Sequence, residues 1–188
     1  MTRTPIKPEF SRPLPVEDIG EGVERHISAE PAELRALARR MKLPEVLTLR
    51  ADLVIRPQGA GSYLVEGQMQ ARVAQECVRT LEVFEADVLA DMERLFVPAD
   101  SPAARALAEG PVVELDEEAP DAPDVIEDGR IDLGELVAET LALSLDPWPH
   151  KPGTDFIDME AGAPDEEEEP EKAPNPFAAL KTLGERER

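Results

Sequence analysis

The sequence predicts an α+β fold: a small antiparallel β-meander packed with two or three helices, between a proline-rich N-terminal arm and an acidic, disordered C-terminal stretch. Three observations carry this. Residues 46–56 and 63–77 alternate apolar and polar side chains, the period of half-buried strands. Residues 133–144 change to helical spacing, with Leu133, Leu136, Val137, Thr140, Leu141 and Ser144 on one side. Beyond position 150 the apolar pattern gives way to carboxylates, the composition of a segment that cannot bury a core.

Each element follows in order. Residues 1–22 carry Pro5, Pro8, Pro13 and Pro15 and read as an extended arm with at most an edge strand, because proline donates nothing to a ladder. Leu34, Leu37, Ala38 and Met41 make a short amphipathic helix, with Pro31 in its first turn and Pro44 closing it. Its other flank carries Arg35, Arg39, Arg40 and Lys42. That flank is either a solvated helix side or a small basic contact face, with Arg50, Arg56 and Arg72 as neighbours.

The first strand sets Leu47, Leu49, Ala51, Leu53 and Ile55 on one side, and the second runs through Tyr63, Val65, Met69, Ala71, Val73 and Cys77. The string from Pro57 to Ser62 reads as their loop, and a loop so short makes the strands antiparallel neighbours. Residues 82–97 fit either period; a third strand is preferred because it completes a meander after a short turn at Arg79–Thr80. Residues 98–130 read as a mobile, acidic, proline-rich connection. Asp132 then caps the long helix, Glu135 stands where it could reach back, and Pro147 and Pro149 end it. One α+β domain over 1–160 is expected, then an acidic linker over 161–174 with Glu166, Glu167, Glu168 and Glu169. A terminal short-helix motif over 175–188 is begun by Asn175 and Pro176 and striped by Phe177, Leu180 and Leu183.

The formal net charge of −21 is unevenly placed. Residues 1–80 are nearly neutral, whereas the rest hold roughly eight Lys/Arg against thirty Asp/Glu. Such a surface repels phosphate and suits a basic protein, unless the charge serves only solubility. One cysteine, Cys77, excludes an internal disulfide and fits a reducing compartment. No apolar run approaches the ~18–20 residues of a membrane span, so a cytoplasmic chain is expected. Two histidines and one cysteine do not make an ordinary zinc site or an oriented Cys–His pair. Neither a P-loop nor a dinucleotide-binding glycine turn is present. No catalytic, cofactor-binding or metal-binding residues are therefore expected, and the chain reads as a non-enzyme.

Taken in order, the elements carry Cys77-Val-Arg-Thr-Leu81, Phe96-Val-Pro98, Ile131-Asp-Leu133, Glu139, the Leu-rich run to Pro147 and the terminal Asn-Pro-Phe-x-x-Leu. The chain resembles the YceD family, the large ribosomal RNA subunit accumulation proteins. The resemblance implies a non-catalytic part in synthesis, processing or stability of large-subunit ribosomal RNA. Implied partners are a ribosomal protein or RNA-processing factor with a basic surface, and the precursor of the large subunit; direct RNA binding through Arg35, Arg39, Arg40 and Lys42 is the alternative. Many members read Cys-x-Arg-Cys-Leu and carry further cysteines after the Leu-rich helix. Thr80 and the Pro149–Gly153 segment stand at those places here, so a thiolate metal site in relatives is not expected in this chain.

Overall fold

In the computed structural model, residues 8–108 and 122–153 are described; they lie within one compact unit, Met1–Thr154. Strand β1 (Pro13–Pro15) is followed by a 3₁₀ turn at Val16–Asp18, β2 (Val23–Ser28) and helix α1 (Pro31–Met41). Three long strands follow: β3 (Glu45–Gly59), β4 (Ser62–Glu76) and β5 (Val83–Pro98). Helix α2 (Pro102–Ala108), β6 (Asp124–Ile126), β7 (Arg130–Asp132) and helix α3 (Leu133–Ser144) complete the order.

The main sheet is ordered β2-β3-β4-β5-β6, antiparallel throughout except for the parallel β5–β6 pair, and β1 pairs with β7 in a second, two-stranded sheet. One face of the main sheet is dry. Leu49, Ala51, Leu53, Ile55, Val65, Met69, Ala71 and Val73 are buried there with Leu37 and Ala38 of α1 and Leu133, Leu136, Val137 and Leu141 of α3. The opposite face is polar, with Arg50 opposite Gln70 and Asp52 opposite Gln68. Gly67 is required where β4 meets β3, because a Cβ there would stand 2.1 Å from the Asp52 carbonyl oxygen.

The α+β class and the third strand are as the sequence predicts; several boundaries differ. The Pro57–Ser62 loop shrinks to a two-residue turn at Ala60–Gly61, both with positive φ, because β3 and β4 continue pairing through Pro57↔Tyr63 and Gly59↔Ser62. Leu47 is only half-buried and Val46 takes the core position, because the register slips by one between Val46 and Thr48 and a bulge offsets the alternation. The arm is more than an edge: Phe10, Leu14 and Ile19 are buried, and β2 follows it. Residues 98–130 are not one loop, since α2 and β6 lie within them and β7 begins at Arg130; β6 forms by adding to β5 at Phe96–Pro98. The linker 161–174 and the motif 175–188 lie outside the described residues.

Candidate functional site

The arm, α1 and α3 are joined by charge. Asp132 caps α3 by accepting from the Gly134 and Glu135 amides, and it also accepts from the Arg12 amide at 2.7 Å and the Ser11 hydroxyl at 2.5 Å. This brings the arm's backbone so close that a Cβ on Gly134 would stand 2.6 Å from the Phe10 carbonyl oxygen. Arg12 reaches across to α1 and donates to both oxygens of Glu33 at 2.7 and 2.8 Å. That bond holds the Glu33 carboxyl below the usual carboxylate range and raises the guanidinium. Glu33 also accepts from the Glu30 amide at the start of α1.

Arg40 takes part in the same fastening. It donates to both oxygens of Glu135 at 2.9 and 2.6 Å and to Glu9 at 3.1 Å. Glu135 is therefore engaged by α1 rather than returning to the cap. Lys42, in the left-handed conformation, ends α1 by donating its amide to Ala38 and Arg39. Arg35 and Arg39 remain exposed, with no ion pair among the described residues. The neighbouring cations are engaged on the polar sheet face: Arg50 donates to Gln70, Arg56 to Glu66 at 2.5 Å, and Arg72 to Glu85 at 2.8 Å. Of the predicted basic face, the side chains of Arg35, Arg39 and Lys42 have no ion pair among the described residues. Phe177, Leu180, Leu183 and Glu166 to Glu169 lie outside the described residues.

Sequence reading did not single out the outer edge of β5. Among the described residues, β5 gains a second neighbour only at Phe96–Pro98, so Val83–Leu95 present one row of ladder groups outward. Residues 84–89 line a trough of about 530 Å³ opposite Ser144 and Asp146. Residues 91–94 line a further stretch of about 380 Å³ opposite Thr140 and Leu143 of α3. Neighbours of both parities line these stretches, which means the strand's edge faces the opening rather than one of its sides. Glu85, Asp87, Asp91 and Glu93 point to the polar face; Phe84, Ala86, Val88 and Ala90 are the half-buried alternates. The signal was present: carboxylates at strict two-residue spacing are what the wet face of a strand requires.

Cys77 directly follows β4, and the turn after it meets the segment beyond α3. The Val78 amide donates to the Pro149 carbonyl at 3.0 Å, and Lys151 bonds Glu82 at 2.7 Å. The buried Cys77 thiol is pushed down to about 6, first by the Lys151 amide and then by the Thr80 hydroxyl, with burial opposing. The two stretches where relatives carry cysteines are thus neighbours in space. The donors here do not fit a tetrahedral thiolate site, since one thiol and one hydroxyl fall short of four ligands. Among the described residues no group of three or more His, Cys, Asp and Glu side chains could hold a metal ion. His26 bonds Asp52 on the polar face.

These features define an acidic α+β protein in which, among the described residues, Arg12, Arg40, Arg56, Arg72, Arg94 and Lys151 pair with its own carboxylates. The chain matches the family model described as large ribosomal RNA subunit accumulation protein YceD over residues 65–184, and it belongs to that family. A role in ribosome biogenesis follows from the membership. The match begins within β4, so the arm, α1 and β3 lie outside it. No curated protein and no solved structure matches the chain. No helix among the described residues is long and apolar enough to cross a membrane.

Proposed function

We infer that this protein is a non-catalytic, cytoplasmic factor that supports large-subunit ribosomal RNA synthesis, processing or stability by holding a basic protein. The partner is a ribosomal protein or an RNA-processing factor on the large-subunit precursor. One observation carries the reading. Residues 81–188 hold roughly eight Lys/Arg against thirty Asp/Glu, and in the first half Arg12, Arg40, Arg56 and Arg72 are held by Glu33, Glu135, Glu66 and Glu85. Phosphate binding depends on available Lys and Arg, in which the second half is poor.

The test is copurification with the tagged protein before and after ribonuclease. A basic protein retained after digestion, released progressively by salt and weakened by replacing Glu166 to Glu169 with Gln, is the expected result. Retention that vanishes with the RNA, together with loss of binding in Arg35→Ala/Arg39→Ala, would favour the RNA-binding alternative. Phe177→Ala with Leu180→Ala should lower large-subunit RNA in cells with the melting temperature nearly unchanged. The sequence expects a short helix there, and a helix of about nine residues is marginal alone in water, so the reading has its apolar stripe dock on a partner. A fall of several degrees would instead place these side chains in the fold's own core.

A further inference from the structure

We propose that the free edge of β5, Val83–Leu95, takes up an extended segment of another protein as an added strand, one that alternates basic and apolar residues. The proposal rests on the protein-contact reading above and names where and how the partner sits. A free strand edge offers unpaired N–H and C=O groups, and a strand added there gains a full ladder. This edge already accepts one: β6 lies parallel on Phe96, Val97 and Pro98. The stretch beside it is regular, with unbroken register against β4 from Val83 to Phe96, so no bulge turns the edge away.

Side-chain alternation specifies the occupant. On one face an incoming residue meets Glu85, Asp87, Asp91 and Glu93, interrupted by Leu89, which is 64% exposed. On the other it meets Phe84, Ala86, Val88 and Ala90 and, opposite residues 91–94, Leu143 of α3, which is 73% exposed. Arg72 offsets Glu85 in part and lies 4.0 Å from Asp87; Asp91 only accepts from Gln68. Basic side chains on the first face and apolar ones on the second satisfy both.

The nearer candidates carry the wrong charge. A second copy paired antiparallel about Leu89 would set Asp87 opposite Asp91 and Glu85 opposite Glu93, and like charges directly opposite destabilise a ladder. The chain's own stretches before β6 and beyond residue 153 hold Glu114, Asp116, Glu117 and Glu118, and Glu166 to Glu169. Prolines at 111, 120 and 123 further remove ladder donors from the first of these.

The probe is a capped peptide of about twelve residues alternating Lys and Val, offered to the full-length protein. Calorimetry should detect binding that weakens between ~50 and ~300 mM salt. Hydrogen exchange should slow at every second amide between residues 84 and 94. Methylating the peptide's ladder-forming amides should weaken binding by roughly tenfold or more, as should Asp87→Lys/Asp91→Lys in a protein whose melting is unchanged. Equal binding of the methylated peptide would overturn the proposal, because charge alone would then hold it. So would outward amides already protected in the free protein, since the edge would then be covered by its own tail or a second copy. Failure of the peptide alongside ribonuclease-resistant capture of a basic protein would remove this inference and leave the broader reading standing.

Discussion

The basic flank of α1 and the acidic edge of β5 are of comparable size, and the fold engages a different part of each. On α1, Arg40 is drawn into Glu135 and Glu9, and Arg12 of the arm covers Glu33. On β5, Asp87 and Glu93 line solvent, with only partial neutralisation of their neighbours. The difference teaches that charge written in a sequence is not charge available to a partner. An arginine within reach of a carboxylate on the next element is spent on the fold, and a bidentate pair leaves few donors for phosphate. Asp87 and Glu93, on a strand with no second neighbour there among the described residues, keep their carboxylates exposed.

The comparison depends on the arm staying seated, which gives the largest expected effect. Gly134→Val should destabilise the protein by about 3 kcal/mol, since the new atoms meet the Phe10 backbone and something must shift. Asp132→Ala should cost about 2 kcal/mol, through loss of the α3 cap and of the arm's hydrogen bonds together. Urea unfolding checks both. A loss under half of these values would mean that the arm is not what holds Arg12 and Arg40 in their pairs.

Smaller effects sharpen the contrast within α1. Arg40→Ala should lower stability by about 1 kcal/mol, a figure held down by solvent screening at a side chain 39% exposed. Arg39→Ala should leave stability within about half a kcal/mol of the parent, as surface substitutions usually do. Equal effects would erase the distinction between spent and uncommitted cations.

A pH-dependent effect is expected at the turn where β5 begins. Folding lowers the Cys77 thiol from an ordinary value of 9.0 to about 6, so the unfolded chain binds more protons between those values. Stability from this group should be complete above the higher value and lost as pH falls through the lower. The gap in urea midpoint between the parent and Cys77→Ser should therefore widen as pH rises from 6 to 9. A constant gap would mean that the amides of Lys151 and Thr80 do not stabilise a thiolate.

Much of this was written locally. The 3.6-residue spacing of α3, its Asp132 cap, the start of α1 at Pro31 and the alternation of β3, β4 and β5 follow from side-chain period and backbone stereochemistry, which act over a few residues. The −21 net charge and its concentration after residue 80 likewise needed no structure. Long-range pairing decided the rest. Proline spacing marks the arm as extended but cannot say that Phe10 will be buried under α3, and β6 exists only because β5 offers it an edge. Glu135 looked like half of a capping box until Arg40, far away in sequence, arrived with two donors. Local stereochemistry sets the elements; which charges stay free is settled only when those elements meet, because an ion pair forms between whatever side chains the fold brings within a few ångströms.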